Sequence, residues 1–446
     1  MHSIQVSYSK VTEQRGQKRL WLEGGRLERA GFAHGEAYIT VLDVERRTLT
    51  LELHFMGDRQ VAGRKKKGGE TYTPILDLCN AEVAHMVGSC EKVKVSYYHG
   101  KVVISLHHEE LQRELREART KAAFAAGVVK TGTVCAGAGI STAAVHEGLK
   151  REGMIAECEW VVDVDGRYLE IADANNPVVT ESTRLIVGTI EEVEAGELSP
   201  VDILNVSLPC DIHAACGKAK KRLAIAEEDS SITSVFGLVQ VIKATMPSVI
   251  ISENVVEARS SAAYLMIRAE LERLGYRLSE TVLNGHDAGS IESRERYWFV
   301  AVSKGLAHVA LEDLVPEAKR FSVVAEVLDD TPETQSAFRY YDYLDIKEER
   351  DRAAGKGFRQ QLVTVDAESV GCIGKGYQKV RSTEPRLSGL DGKSRLFTVD
   401  EHCRLKGIPE ALLRDCLPTI GHEAAGQSVL WGHGVAIGAL TALSMR

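Results

Sequence analysis

The sequence predicts an α/β protein, in which a doubly wound, mostly parallel sheet follows a smaller α+β domain. From about residue 129 onward, strand patterns alternate with helix patterns, which is typical of parallel sheets covered by helices. Before residue 108, one set of strand, short-helix and hairpin signals occurs twice. We therefore expect an N-terminal α+β tandem-repeat domain at 1–107 and a helical linker at 108–128, whose first 19 residues are polar and rich in Glu, Arg and Ala. The α/β domain should begin at 129.

The N-terminal pattern is a degenerate tandem repeat of a strand, a short helix and a hairpin. A segment between the two copies combines glycines with Arg59, Arg64, Lys65, Lys66 and Lys67, so it is either a solvated linker or a loop that contacts phosphate. The first copy is predicted at 20–22 (strand), 27–30 (helix), 38–42 and 49–53 (strands), and the second at 75–78, 81–87, 93–97 and 102–106.

Composition limits the class of protein. The 446 residues are 44% hydrophobic and 26% charged, as in ordinary globular proteins. Because there is no run of 18 apolar residues and no signal-peptide pattern, we expect a cytoplasmic protein. The nine cysteines contain no Cys-x-x-Cys pair and no His/Cys cluster at zinc spacing, so neither a disulfide framework nor a metal site is indicated. A net charge of −8 argues against a protein that coats nucleic acid, although local basic patches are compatible with it.

A glycine-containing loop follows the first strand of the α/β domain, at Cys135–Gly139. Glycines there let the backbone approach a ligand, and the helix that follows presents unpaired amide groups. The second predicted strand ends at Asp163, and a carboxylate at that place suits the hydroxyl groups of a ribose. Each feature alone is equally compatible with an ordinary turn, but together they indicate a nucleoside cofactor.

Cys210 follows an apolar run at 201–206 that has the length and composition of a strand. Ser207 and Pro209 end this strand, because proline donates no hydrogen bond to a sheet. The thiol therefore comes at the carboxyl end of a strand, where open α/β sheets bind their ligands. Basic residues follow it and should favour the thiolate: Lys218, Lys220, Lys221 and Arg222. The alternative is a small apolar residue that merely follows a strand.

Two further strands have polar residues next to them. Glu253 follows the strand at 249–251, where its carboxyl group would lie beside Cys210 as an acid, or cap a helix. Arg294 and Arg296 precede the strand at 297–302, and their spacing of two points both side chains to one side, towards a cleft. Exposed salt bridges are the alternative for these arginines.

In this order, the motifs resemble those of the DNA cytosine-5 methyltransferases over residues 129–446. The family's glycine loop resembles 136–139, and its nucleophile, Glu-Asn-Val and Gln-x-Arg-x-Arg motifs resemble 207–210, 253–255 and 292–296. Two further motifs resemble the stretches at 395–409 and 426–429. In addition, about thirty residues of the first N-terminal repeat weakly resemble swapped-hairpin barrels of the SymE/AbrB type. That domain is therefore expected to bind DNA, and phosphate contact becomes the favoured interpretation of its basic segment.

The family resemblance implies the roles of the residues. Cys210 would be the nucleophile that attacks carbon 6 of cytosine, Glu253 the acid at ring nitrogen 3, and Arg296, supported by Arg294, the group that holds the base and Glu253. S-adenosylmethionine would be the cofactor. Its binding residues would be Cys135, Ala136, Gly137, Ala138, Gly139, Asp163, Val164, Thr189, Ile190, Gln427 and Ser428.

Double-stranded DNA is the implied partner, bound by a monomer, and a cognate restriction endonuclease is a candidate second partner. The catalytic domain would occupy 129–303, a target-recognition region 304–394, and the C-terminal motifs 395–446. Residues that follow Cys210 or lie in the glycine-rich, basic segment at 371–385 would contact DNA, although that segment is also compatible with a turn-rich loop: Lys218, Lys220, Lys221, Arg222, Lys375, Tyr377, Lys379 and Arg381.

The sequence departs from the family pattern at several of these positions. Asp211 and Glu292 stand where Gln is usual, and Gln427 stands where Asn is usual. Cys135 replaces a Phe, and Thr189 takes the place of an Asp. Two alternatives therefore stay open, namely a DNA-binding regulator with a decayed catalytic domain and a cytosine modifier that uses another sulfonium donor.

Overall fold

Residues 1–115 form the first of two units in the computed structural model, which describes residues 4–209 and 233–446. The unit contains a six-stranded sheet in the order β1-β9-β10-β5-β4-β6 and a four-stranded sheet in the order β2-β3-β8-β7. Its strands are β1 Gln5–Lys10, β2 Thr12–Gln14, β3 Gln17–Glu23, β4 Ala37–Asp43, β5 Thr48–Leu53, β6 Arg59–Gln60, β7 Ala62–Lys65, β8 Tyr72–Leu78, β9 Lys92–Tyr98 and β10 Lys101–Leu106, and its helices are α1 Gly25–Arg29 and α2 Ala81–Val87.

The predicted elements of both N-terminal repeats are confirmed, because β3-α1-β4-β5 and β8-α2-β9-β10 follow the same order. Corresponding strands of the two copies pair with each other, β3 with β8 and β5 with β10, both antiparallel. Alternate residues of these strands, such as Leu49 and Leu51 of β5, are buried in one shared apolar core. Neither copy could bury its apolar face alone, so the repeats depend on each other. The resemblance to swapped-hairpin barrels stays a prediction.

The basic segment between the repeats forms a hairpin rather than an extended linker, and its contact with phosphate stays a prediction. β7 pairs with β8 as a hairpin, and the amide of Lys66 donates to the carbonyl of Thr71 at 2.9 Å. Arg59 lies 3.2 Å from Glu82, Arg64 3.3 Å from Glu23 and Lys66 3.6 Å from Glu28. These sequence-distant carboxylates neutralise part of the charge, which local composition could not reveal.

Helix α3, His108–Ala126, occupies the residues predicted as a connecting helix and leads along the chain into the second unit, residues 116–446. The sheet of this unit has the order β13-β12-β11-β14-β15-β18-β16. Neighbouring strands from β13 to β15 are parallel, whereas β18 is antiparallel to β15 and to β16. These strands are β11 Val128–Val134, β12 Ile155–Asp163, β13 Arg184–Val187, β14 Ile203–Val206, β15 Val249–Asn254, β16 Tyr276–Leu283 and β18 Arg296–Ser303.

Helices cover both faces of this sheet, which confirms the predicted doubly wound α/β class. Consecutive strand residues such as Ile203 and Leu204 belong to two different apolar clusters, one on each face. Glycines bring two of the helices unusually close, since a Cβ on Gly148 would lie 2.0 Å from the carbonyl oxygen of Val435. The helices are α4 Ile140–Arg151, α5 Gly166–Asn175, α6 Ser234–Thr245, α7 Ala262–Arg273 and α12 Trp431–Met445.

The remainder of the second unit is built from short elements around a further apolar cluster. β17 pairs in parallel with β20, and β21 lies between β19 and β22. In the described part of the chain, no single helix is long and apolar enough to cross a bilayer, and only the pair α11–α12, bent by 46°, reaches that length. The short elements are β17 Glu292–Ser293, α8 Pro332–Ser336, α9 Asp342–Ala353, β19 Leu362–Val363, β20 Val370–Gly371, β21 Arg386–Ser388, β22 Ser394–Arg395, α10 Val399–Leu405 and α11 Pro418–Gln427.

Candidate active site

The glycine loop connects the carboxyl end of β11 to the start of α4. Cys135, Gly137 and Gly139 all have left-handed backbone angles, with φ of 55°, 54° and 70°. A Cβ on Gly139 would lie 2.6 Å from the side-chain nitrogen of Asn176, which donates to the carbonyl of Gly139 at 3.0 Å. The loop is therefore a tight turn without side chains at its two glycines, and it leads into the amino end of a twelve-residue helix.

The thiol of Cys135 is not a competing nucleophile. Burial raises its pKa to about 12, with further contributions from the negative charges of Asp163 and Glu191. At neutral pH this thiol is protonated, and only a thiolate is strongly nucleophilic.

Asp163 ends β12 and holds the glycine loop from the side. One carboxylate oxygen accepts from the amide of Gly137 at 2.7 Å and the other from the amide of Asp165 at 2.9 Å. The next residue, Val164, has 65% of its surface exposed at this edge of the sheet. The predicted ribose contact of Asp163 would use the remaining lone pairs of the same oxygens.

Thr189 and Ile190, both predicted to bind the cofactor, differ in their surroundings. Thr189 is exposed, and its amide and hydroxyl donate to the carboxylate of Glu192 at 3.0 and 3.1 Å. Ile190 is buried in the core, where a Cβ on Gly237 would come within 2.8 Å of its backbone. Of these two residues, Thr189 is therefore the one whose side chain is exposed to solvent.

Gln427 comes from the far end of the chain and lies against the glycine loop. Its side-chain nitrogen would be 3.3 Å from a Cβ built on Gly137. The neighbouring Ser428 ends α11 and donates its hydroxyl to the carbonyl of Ala425 at 2.8 Å. The structure therefore brings together two segments that the sequence separates by 290 residues.

Glu253 and Arg296 form a close ion pair on adjacent strands. Arg296 Nε lies 2.8 Å from Glu253 Oε1, and both side chains are largely buried. Glu253 lies within β15 rather than after it, so it is not a helix-capping residue. Burial raises the pKa of Glu253, and the positive charges of Arg296, Arg294 and Lys406 oppose but do not cancel this effect. A raised pKa favours the protonated form of the carboxyl group, which is the form that can donate a proton.

Asn254 was absent from the predicted set of site residues, although it lies in the quoted Glu-Asn-Val motif. Its side-chain nitrogen donates to the carbonyl of Leu208 at 2.9 Å and to the hydroxyl of Tyr264 at 2.8 Å. It therefore ties the strand that bears Glu253 to the segment after β14. The position of Asn254 directly after Glu253 in the sequence was the signal by which it could have been identified.

Cys210 and the basic residues Lys218, Lys220, Lys221 and Arg222 lie outside the described residues. β14 ends at Val206, and the described chain continues through Ser207 and Leu208 to Pro209. The predicted end of the strand before Cys210 is therefore confirmed, whereas the surroundings of its thiol stay a prediction.

Arg294 does not face a cleft, contrary to the prediction from its spacing. Only 2% of its surface is exposed, and its Nε lies 2.7 Å from Glu292 Oε1. Its other nitrogens donate to the carbonyls of Ile373, Gly426 and Ser428 at 2.7, 2.7 and 3.1 Å. Arg294 thus holds three chain segments together.

Tyr377 is also a correction, because the predicted DNA contact requires an accessible side chain. It is fully buried, and its hydroxyl donates to the carbonyl of Pro385 at 2.8 Å and accepts from the amide of Phe397 at 3.0 Å. The other three residues predicted in this segment are exposed: Lys375, Lys379 and Arg381.

Comparison with known proteins agrees with this arrangement. Residues 130–440 match the model of the family described as C-5 cytosine-specific DNA methylase. The chain is 25% identical over 177 residues to the type II methyltransferase M.NlaIV of Neisseria lactamica, which covers 37% of this chain and 40% of that protein. It is 24% identical over 250 residues to M.SsoII of Shigella sonnei, covering 54% and 64%.

The chain thus spans less than half the length of the first of these relatives and just under two thirds of the second. Among solved structures, the Dnmt2 methyltransferase of S. pombe superposes with a TM-score of 0.55 at 18% identity, covering 71% of this chain and 98% of that one, which shows a shared fold. The family model extends over more than half of the sequence, and the chain therefore belongs to the C-5 cytosine-specific DNA methylase family.

Proposed function

We propose that this protein transfers a methyl group from S-adenosylmethionine to carbon 5 of a cytosine in double-stranded DNA. The observation that carries the proposal is the buried pair of Glu253 and Arg296, separated by 2.8 Å. Asn254, next to Glu253, bonds to Leu208, two residues before Cys210. An acid, its cationic partner and the segment that leads to a nucleophile therefore belong to one site.

The chemistry explains why these groups are needed together. Carbon 5 of cytosine is a poor nucleophile until the Cys210 thiolate forms a bond to carbon 6, which converts the ring to an enamine. In its protonated form, which burial favours by raising the pKa, Glu253 would donate to ring nitrogen 3 and so stabilise the charge that develops on the ring. After carbon 5 has gained the methyl group and lost its proton to a base, the carbon–sulfur bond breaks and the thiolate leaves with the electron pair.

The residues at the sheet edge fit S-adenosylmethionine, which supplies an electrophilic methyl group when bound. The turn at Cys135–Gly139 has no side chains at its two left-handed glycines, so a ligand can approach the backbone closely at the amino end of α4. Exposed Val164 offers an apolar surface to a base, and Asp163 offers carboxylate oxygens to a ribose. Gln427 would border this site through the glycine loop.

The target atom is inside a duplex, so the cytosine must be flipped out, at a cost of a few kcal/mol. Exposed Lys375, Lys379 and Arg381, with the basic residues that follow Cys210, would contact the DNA. A monomer on DNA, a cognate restriction endonuclease and a cytoplasmic location belong to the same proposal. The assignment of 304–394 to target recognition and of 1–107 to an additional DNA-binding domain is also part of it.

The decisive experiment incubates the full chain with mixed-sequence DNA and labelled S-adenosylmethionine and analyses the nucleosides by mass spectrometry. Labelled 5-methylcytosine is expected from the wild type and none from Cys210→Ser, because a serine hydroxyl is far less ionised than a thiol. DNA containing 5-fluorocytosine should trap a covalent complex with the wild type only. Cys79→Ser, a partly exposed cysteine of the N-terminal unit, is the matched control.

Three outcomes would contradict the proposal in different ways. Normal turnover by Cys210→Ser would remove the covalent mechanism. DNA binding without any modified nucleoside would favour the regulator with a decayed catalytic domain. A modified cytosine other than 5-methylcytosine, formed with another sulfonium compound, would favour the alternative donor suggested by Gln427 and Thr189.

A further inference from the structure

Lys406 follows helix α10 and is fully buried. Its ammonium group donates to the carbonyls of Ala425 and Ser428 at 2.6 and 3.0 Å. Burial of a charged amine costs free energy unless it is paired, and burial lowers the pKa of Lys406 to about 7. A lysine in such a place is unusual enough to require an explanation.

Two further charged groups, Arg294 and Glu292, belong to the same region as the turn at 426–428, to which Lys406 is bonded. Arg294 donates to the carbonyls of Gly426 and Ser428, so Arg294 and Lys406 share Ser428 as an acceptor. Glu292 supplies the negative charge, with its side chain fully buried and paired with Arg294. Burial alone would raise the pKa of Glu292, but the charges of Lys406 and Arg294 outweigh this effect and lower it. Glu292 is therefore the ion-pair partner of Arg294, and the charge of Lys406 acts on it through the electrostatic field.

The turn at 426–428 separates two halves of the candidate site. On one side, the Gln427 side chain lies beside the glycine loop, 3.3 Å from the position that a Cβ on Gly137 would take. On the other, Arg294 and Lys406 act electrostatically on Glu253, opposing the rise of its pKa, and Arg294 also holds the carbonyl of Ile373. A shift of this turn would therefore affect the cofactor loop, the acid and the start of the exposed basic segment together.

We propose that Glu292, Arg294 and Lys406 form a buried charge cluster that fixes the turn at 426–428, and that Lys406 is a positioning residue for the methyl transfer. The inference rests on the proposed function. It also accounts for one departure from the family pattern, because the negative charge that Glu292 introduces in place of Gln is balanced here by Lys406. The two residues should then act as a pair rather than independently.

The test is a double-mutant cycle with Glu292→Gln, Lys406→Gln and the double variant in the full chain. Single-turnover methyl transfer is measured at saturating DNA and S-adenosylmethionine, per active site trapped by 5-fluorocytosine DNA. Each single change shifts the net charge of the buried cluster by one unit and should slow transfer about tenfold or more, the usual scale for groups coupled in one network. The double variant restores the wild-type net charge of the cluster and should return to within about threefold of the wild type.

Lys150→Gln, at the exposed carboxyl end of α4, and Glu272→Gln, exposed on α7, are the matched controls and should match the wild type. A double variant whose loss is the product of the two single losses would overturn the pairing. Variants that melt at lower temperature but transfer at the wild-type rate per trapped site would overturn the positioning role, since the cluster would then serve stability alone. A wild type that transfers no methyl group would instead refute the proposed function.

Discussion

Arg294 and Arg296 are separated by one residue, yet they lie in different surroundings. Arg296 begins β18 and pairs with Glu253 on the neighbouring β15. Arg294 precedes that strand and directs its donors to Glu292 and to three backbone carbonyls. One arginine therefore adjoins the proposed acid Glu253, whereas the other is part of the interior.

The two arginines show that a spacing of two residues does not by itself place two side chains on the same face. Side chains two apart share a face only within one strand, and β18 starts at Arg296. The preceding β17, Glu292–Ser293, pairs with β20 and not with β15, so the backbone changes direction between the two arginines. Within this one motif, Arg294 therefore has a structural position and Arg296 lies beside the proposed acid. Each arginine can be substituted separately.

The largest expected effect is the loss of stability in Arg294→Met. The change leaves Glu292 without its ion-pair partner and removes the arginine donor from the carbonyls of Ile373 and Gly426, and breaking a buried pair typically costs about 3–5 kcal/mol. Urea unfolding followed by circular dichroism measures it. Arg273→Met, which removes an exposed pair with Glu270, should cost only about 0–1 kcal/mol. Equal urea midpoints for the two variants would show that Arg294 does not contribute more to stability than an arginine on the surface.

Arg296→Gln should have the opposite profile, with a slow reaction and a smaller change in stability. The variant loses one preorganised charged donor, which typically costs about 10²–10³-fold in rate. Its stability should change less than that of Arg294→Met, because the pKa of Glu253 is already raised and the carboxyl group can become neutral when its partner is removed. Single-turnover kinetics with urea unfolding of the same sample separates the two quantities. A variant with normal kinetics would leave Arg296 without a catalytic role.

Much of the fold could be predicted, because long elements carry their own periodicity. The helix at 81–87 agrees to the residue, since Asn80 is a favourable cap whose side chain accepts from the amide of Val83. Five of the seven strands of the α/β sheet were also evident from apolar runs with polar residues beside them, whereas β13 and β16 were not predicted. Two-residue strands such as β17, β19 and β20 have no period to detect, so the architecture of 304–394 was not predicted.

The site was predicted less completely, because its contacts join distant parts of the chain. Glu253 and Arg296 were identified from their motifs, but their separation depends on the pairing of β15 with β18. Tyr377 was assigned to DNA because its neighbours are glycines and basic residues, and only the structure shows that it is buried. Lys406 and Glu292 are 114 positions apart, and no local pattern relates them.

The smallest expected effect concerns the two buried glutamates, whose pKa values move in opposite directions. The pKa of Glu253 is raised by burial, so its contribution to stability is fully present below the pKa of the unfolded chain and is lost as pH rises through the folded value. The pKa of Glu292 is lowered, because Lys406 and Arg294 outweigh burial, so its contribution is present above the unfolded value and is lost as pH falls through the folded one.

Glutamine variants should therefore respond to pH in opposite senses. Relative to the wild type, Glu253→Gln should gain stability as pH rises above about 4, the usual pKa of an unfolded glutamate, because the raised pKa of Glu253 makes the wild type less stable as its proton is lost. Glu292→Gln should gain on the wild type as pH falls from about 5 towards 3, where the wild type loses its favourable carboxylate. Unfolding midpoints of the three proteins across this range measure both slopes, and parallel curves would mean that the two glutamates do not occupy contrasting environments.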